Sequence, residues 1–336
     1  MGSAGRLQSV DYLRGIAAFA VMWFHFTNGG PLFSEGIVRW SGAYGYTGVA
    51  VFFVISGFII PYSLSTRSYS LRRDGPSFFL RRIIRLEPPY LIAATFGALL
   101  FCASSMTPGF RGQPWPTLFR DIALHPAYLV PWFDGNWINP VFWTLAIEFQ
   151  YYLAILFLAP ALLSNKRWAN RAALAASLLL SLAIADSRLF FLYLPLFGLG
   201  FIAFLIMRYA LPKLELGLWS VAYLLGSAYN LGASYTIAAA IAAAALFVRW
   251  PDGLRSLAFL GAISYSLYLL HVPIGGRVLN LVTRLPDTVA LKLVALAGAT
   301  ALSLASAYAF WRLVELPSIA WARRMKPTDT HQPKIA

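Results

Sequence analysis

Charged residues are scarce in this chain. Asp, Glu, Lys and Arg together make up 12% of its 336 residues, against 59% hydrophobic. A soluble domain carries about twice that charged share, so the composition excludes an ordinary water-soluble fold and places the chain in lipid. Cysteine is scarcer still: with Cys102 alone, an internal disulfide and a thiolate-ligated metal cluster are excluded, and redox compartment cannot be read. Acidic residues number 13 against 27 basic, a formal net charge of +14. A nucleic-acid partner would need those basic residues on one amphipathic face; here they sit between apolar segments, so no nucleic acid is expected. No soluble domain separates from the rest. Residues 1–336 read as one transmembrane unit with a short basic tail from about 318 to 336.

What the chain does have is long apolar stretches, recurring from Ile16 to Tyr308 with short polar breaks. At about 20 residues per span, the fold class is all-α, a polytopic bundle of about ten transmembrane helices over residues 14–30, 47–64, 86–103, 141–163, 172–186, 189–207, 215–231, 235–249, 257–275 and 288–310. The short breaks between 172 and 249 leave nine or eleven spans open. Asp11, Arg14 and His25 interrupt what would be a cleaved leader, so the first stretch reads as a retained helix. With an inner start, 20 of the 27 Lys and Arg fall on the cytoplasmic side, among them Arg6, Arg67, Arg81, Lys166, Lys326 and Lys334, and 7, including Arg39, Arg111 and Arg188, on the other. That is the positive-inside asymmetry, and it makes both termini cytoplasmic. The longest break, Ala103 to Pro140 with Trp115, Trp132 and Trp137, lies outside, as a lid over a site or as interfacial anchors. The basic tail with Arg323 and Arg324 meets anionic lipid headgroups, and no inverted repeat of the transporter kind is visible.

An ionisable group at membrane depth costs several kcal/mol unless it pairs or snorkels, so each one is a functional candidate. Arg14 and His25 lie eleven positions apart, which on a helix is about 20° of rotation and roughly 16 Å of rise. With Asp11 on the same stripe, this puts a cation near the inner surface and an imidazole deep in one groove, suited to gripping a ligand's charged head while its tail reaches inward. The plainer alternative pairs Asp11 with Arg14 and leaves His25 on a backbone carbonyl. Arg81, Arg82 and Arg85 precede Pro88 and Pro89, which help define a helix start. Guanidinium groups at a helix start attract phosphate, or form an ordinary cluster for lipid headgroups. Thr144, Glu148 and Tyr152 share a helix face, where Glu148 either supports a catalytic or binding partner or is protonated and structural. Ser264, Tyr268 and His271 form a stripe ending near the outer surface, with His271 serving chemistry or capping the helix. Glu315 is expected to pair locally with Arg312.

Taken in order, these segments resemble the acyltransferase 3 family of membrane O-acyltransferases. The resemblance rests on Asp11-Tyr12-Leu13-Arg14-Gly15 followed by His25, on the glycine- and phenylalanine-rich run from Gly48 to Phe58, on the arginine stretch, on Trp143 to Tyr152, on Ser264 to His271 with Pro273, and on Glu315-Leu316-Pro317. It implies transfer of an acyl group, usually acetyl from cytoplasmic acetyl-CoA as cosubstrate and without a metal, to a hydroxyl of a carbohydrate or glycolipid acceptor. The setting implied is the bacterial cytoplasmic membrane, among membrane lipids, and a homo-oligomer is compatible with it. By the same resemblance Arg14, Arg82 and Arg85 hold the CoA phosphates, His25 is the general base on the acceptor hydroxyl or, in a variant, a covalent acyl carrier, Glu148 orients a side chain of the site, and His271 is a further catalytic candidate on the acceptor side. Some members carry a fused extracytoplasmic hydrolase-like domain; this sequence stops at Ala336 without one, so the expectation is complete transfer or hand-over to a partner. The competing classes are a transporter or flippase of a polar or lipid-linked solute and a noncatalytic assembly protein. Phosphate-type arginines together with a deep histidine favour the enzyme.

Overall fold

The computed structural model describes residues 3–65, 69–107, 114–208, 210–251 and 253–325. Arg67, Arg111, Lys326 and Lys334 lie outside the described residues, as does the side chain of Arg6. No strand occurs among the described residues. In lipid a chain must satisfy its own backbone, and helices do so segment by segment.

In chain order the helices are α1 (Ser3–Asn28), α2 (Ile37–Gly42), α3 (Gly48–Ser65), α4 (Leu71–Ser105), α5 (Leu118–Leu124), α6 (Trp143–Leu162), α7 (Arg167–Ala183), α8 (Leu194–Arg208), α9 (Lys213–Leu231), α10 (Ala233–Ala245), α11 (Arg255–Ala262), α12 (Ser264–His271), α13 (Arg277–Val282), α14 (Val289–Phe310) and α15 (Leu316–Arg324). Two π-helical turns, Val272–Gly276 and Trp311–Glu315, join α12 to α13 and α14 to α15.

All ten expected segments are helical, but the crossings are not all equal. Among the described residues five helical stretches are long and apolar enough to cross a membrane: Ile37–Ser65, Leu71–Ser105, Trp143–Leu162, Phe190–Arg208 and Val289–Arg324. A sixth results if α11 and the stretch Ser264–Val282, bent by 62°, count as one broken span. Of the remaining expected spans, α7 has 17 residues and α10 has 13. Both fall short of the roughly 20 that cross a bilayer. α1 and α9 have the length, but polar residues such as Asp11 and Arg14, or Glu215 and Asn230, lower their mean hydropathy. Length and composition support five or six crossings among the described residues, and the expected count of about ten is not confirmed. Exposed Leu99, Phe157, Leu179, Leu225 and Val294 clothe the bundle; apolar cover of that extent suits lipid rather than water.

At the centre α3 packs against α8, and both are apolar on nearly every face and largely buried. Gly57 and Gly200 permit the approach: a Cβ on Gly57 would collide with the Phe197 carbonyl oxygen, and one on Gly200 with the Val54 carbonyl oxygen. Small residues allow such crossings in membranes, where association rests on close packing. Gly15 and Gly261 do the same where α1 crosses α11. Hydrogen bonds tie the helix ends into two sets. Ser9 reaches the Val248 carbonyl, Arg208 reaches Asn165 and Arg81 reaches the Met325 carbonyl at one end; Tyr46 meets Ser234 and Arg277 meets Ser104 at the other.

Two expectations need correction. Pro88 and Pro89 do not open a helix: α4 starts at Leu71 and runs through Pro76, Pro88 and Pro89. Packing against α6, α12 and α15 sustains it despite the missing donors. The segment expected at 257–275 is not one straight helix but breaks between Ala262 and Ser264. Within the expected basic tail, α15 packs along α4 and carries Arg323 and Arg324 in its last turn.

Candidate active site

Arg14 of α1, Arg82 and Arg85 of α4 and Glu148 of α6 meet around one cavity of about 240 Å³. The helical pitch explains the grouping within α4, because residues three apart share a face. Since α4 begins at Leu71, these arginines stand inside the helix and no free N–H groups join them; their side chains alone supply positive field. Among the described residues no ion pair links Arg14, Arg82 or Arg85 to a carboxylate, although Asp11 and Glu315 lie within electrostatic range. A second hollow of about 500 Å³, bordered by Arg81 and Arg323, shares Ser63, Arg82 and Arg85 with the first. The two form a basic approach leading to a narrower chamber. Three guanidinium groups in partly dry surroundings without a bound acid favour an anion that carries several oxygens.

Glu148 has the partners a carboxylate in a membrane helix requires. Ser56 donates to its Oε1 at 2.7 Å, and Tyr152, one turn along α6, donates to the same oxygen. The Tyr152 ring in turn lies 5.1 Å from the Arg82 guanidinium, which also faces Phe78 at 5.6 Å. Glu148 thus fixes the ring on which Arg82 rests. Thr144, Glu148 and Tyr152 all line the cavity, as the shared face predicts.

The histidines gather elsewhere. His25 and His271 rings stand 5.3 Å apart, and neither lines the arginine cavity. His271 is fully buried. Its Nδ1 lies 2.9 Å from the Leu267 carbonyl, so that nitrogen must carry the hydrogen. Nε2 is then a lone pair, without a hydrogen-bond partner among the described residues. The helix continues past His271 as a π-turn, a feature frequent at functional sites, so His271 caps nothing. Half-buried His25 lies against Phe24 and His271. Phe52 and Tyr268 connect the two groups: both line the cavity, their rings meet edge to face at 5.5 Å, and the Tyr268 ring is 6.1 Å from His271. The sequence reading missed Ser56 and Phe52 as site residues, though both fall in the Gly48 to Phe58 run.

Two smaller expectations also change. Asp11 is exposed and makes no ion pair with Arg14. Glu315 does not pair with Arg312: it is buried and accepts a 2.6 Å bond from Ser266, while Arg312 lies over Trp311. The wider π-turn Trp311–Glu315 swings the carboxylate inward from the register a regular helix would give it.

The segment expected outside folds around Asp121, whose side chain is buried. Trp115, Thr117 and Arg120 donate to it at 2.7, 2.8 and 2.9 Å. Burial opposes the charge, yet these bonds and one from Asn136 outweigh it and lower the carboxyl to about 2. His125 is held from both sides: its Nδ1 meets the Asp121 carbonyl at 2.6 Å and its Nε2 accepts from the Ile138 N–H. Burial lowers its pKa, against the pull of Asp121. Tyr128 donates to Glu87 of α4 and Asn139 to the Leu269 carbonyl of α12, fastening the segment to the bundle.

Comparison with known proteins bears out the family resemblance. The chain is similar to Nodulation protein 10 of Rhizobium leguminosarum bv. viciae, 29% identical over 195 residues, 52% of this chain and 49% of that protein. It is 27% identical over 308 residues, 80% of this chain and 72% of the relative, to the "Putative membrane-bound transacylase BcsY" of Komagataeibacter xylinus. It is 29% identical over 154 residues, 44% of this chain and 38% of the relative, to the acyltransferase MdmB of Streptomyces mycarofaciens. The alignment spans about half the length of the nodulation protein and less of MdmB. No solved structure matches. The family model described as an acyltransferase domain matches residues 7–312, nearly the whole helical bundle, and on that match the chain belongs to the acyltransferase 3 family.

Proposed function

We propose that this protein is a membrane O-acyltransferase that moves an acetyl group from cytoplasmic acetyl-CoA to a hydroxyl of a carbohydrate or glycolipid, in a bacterial cytoplasmic membrane with both termini inside. The observation that carries the reading is the cavity in which Arg14, Arg82 and Arg85 converge without an ion-paired carboxylate, reached through a basic approach. Phosphate groups match those guanidinium forks, and the cavity's apolar lining of Val49, Phe53, Ile55 and Ile59 suits a slender arm behind them. Relatives named as an acyltransferase and a transacylase support the same class.

On this reading His25 takes the proton of the acceptor hydroxyl as its oxygen attacks the thioester carbonyl carbon. The carbon–sulfur bond breaks, the electron pair leaves on sulfur, and the histidine proton returns to the thiolate. His271, its Nδ1–H tied to a carbonyl, packs its ring beside His25 and leaves Nε2 as an unpartnered lone pair there. Glu148 acts through Tyr152 and Arg82, holding the phosphate grip in place.

Purified protein supplied with radiolabelled acetyl-CoA and a panel of glycans tests this. Label should pass to one class of glycan and cease in His25→Ala. Movement of a solute across proteoliposomes with no label transfer would replace the enzyme by a transporter.

A further inference from the structure

We infer that Phe52 and Tyr268 form the end wall of the donor cavity and set the length of the acyl group the protein accepts. The inference rests on the acyl-CoA reading above and extends it to the choice among acyl donors.

The cavity's polar end is occupied by Arg14, Arg82 and Arg85, and its lining includes apolar Val49, Phe53 and Ile55 together with the Phe52 and Tyr268 rings. On α3, Ser63 borders both hollows together with Arg82 and Arg85, while Phe52 stands eleven residues, or roughly 16 Å, back along the same helix, so a ligand whose anionic part sits on the arginines extends towards those two rings. They close on each other edge to face, 5.5 Å between centroids at 78°, an arrangement favoured by the ring quadrupoles. Tyr268 is buried and held in place: its hydroxyl meets Thr144 Oγ1 at 2.7 Å and reaches the Val141 carbonyl at 3.2 Å. Thr144 Oγ1 also lies 2.9 Å from that carbonyl, so one hydroxyl hydrogen lies between the two side-chain oxygens while the other points to the carbonyl, and in either arrangement the ring is anchored to the start of α6. The Tyr268 ring also faces His271, which faces His25. A short acyl group ends at the wall; a longer one must displace an anchored ring. Interiors packed to this density do not yield freely, and one methylene too many in a fitted pocket is worth about tenfold or more in discrimination.

Binding is the direct readout, because it needs no acceptor. With the full-length protein purified in nanodiscs, displacement of radiolabelled CoA by acetyl-CoA, butyryl-CoA and hexanoyl-CoA gives a ratio of dissociation constants. Wild type should bind acetyl-CoA at least about tenfold more tightly than hexanoyl-CoA. Phe52→Ala and Tyr268→Ala should bring that ratio close to one, chiefly by tightening the longer ligands. Tyr268→Phe keeps the ring and should keep the preference. Size-exclusion profiles report folding, and if Tyr268→Ala does not fold, Phe52→Ala still decides. Should CoA bind wild type while both alanine variants retain its ratio, the wall is refuted and the donor reading stands. If labelled CoA does not bind wild type at all, both are overturned.

Discussion

At the scale of single residues, the structure separates a cluster of arginines from a pair of histidines, and the proposed roles of grip and base make different predictions. Arg85→Ala should weaken CoA binding by about tenfold, since a hydrogen bond to a charged group is worth about 1.5–3 kcal/mol; an unchanged CoA affinity in that variant would remove Arg85 from the grip. Tyr152→Leu takes away the face beneath Arg82 and should raise the KM for acetyl-CoA severalfold, as a loss of about 0.5–2 kcal/mol predicts, with kcat little altered. His25→Ala should behave in the opposite way, with CoA affinity retained and turnover reduced by about 10²–10⁴. These variants, compared in one binding assay and one transfer assay, give a pattern that a purely structural role does not. Arg14, His25 and Glu148 were legible in the sequence because a charge or an imidazole inside an apolar run must have a reason. Phe52 was not, because an aromatic ring in an apolar helix carries no such signal. Glu315 misled for a different reason: the π-turn changes which face its side chain occupies, and a regular helical wheel has no place for it.

At the scale of elements, two features carry predictions. Gly57→Ala and Gly200→Ala put a methyl group against backbone carbonyls at the α3–α8 crossing, and a backbone cannot give way as a side chain can. Each should destabilise the bundle by about 1–3 kcal/mol, visible as a lower thermal midpoint in detergent. The segment around Asp121 should respond to acid. His125 has a pKa below its ordinary 6.5 when folded, so as pH falls below about 6.5 protons bind the unfolded segment first and stability is lost. Asp121, lowered to about 2, adds a contribution that is complete above 3.8 and lost as pH falls from there to about 2. Hydrogen exchange corrected for intrinsic rates should therefore rise across residues 118–138 between pH 7 and pH 5, and equal protection at both would contradict the assignment. The alternation of apolar stretches and polar breaks foretold where the helices are. It could not foretell that α4 continues through Pro88 and Pro89, since that depends on the neighbours packed along it.

At the scale of the whole molecule, the bonds between helix ends define two sides. Ser9, Asn165, Arg208 and Val248 belong to one, with Arg81 and Met325; Tyr46, Ser234, Ser104 and Arg277 belong to the other. With Cys102 replaced by serine, a cysteine placed at Asn165 should react with a membrane-impermeant maleimide only after permeabilisation, and one at Ser234 should react in intact cells. The reverse result would invert the proposed orientation, and equal labelling would break the alternating path. The sequence by itself determined that the chain lives in lipid as helices, which side its positive charges favour, and which few polar residues must be explained, because desolvation makes each buried charge and each unpaired backbone group costly. Only the tertiary structure decided that the arginines share one cavity and the histidines another place, with Phe52 and Tyr268 between. Contacts among α1, α3, α4, α6 and α12 are set by close packing across the bundle, and distances of that kind are not written in the spacing of residues along any one helix.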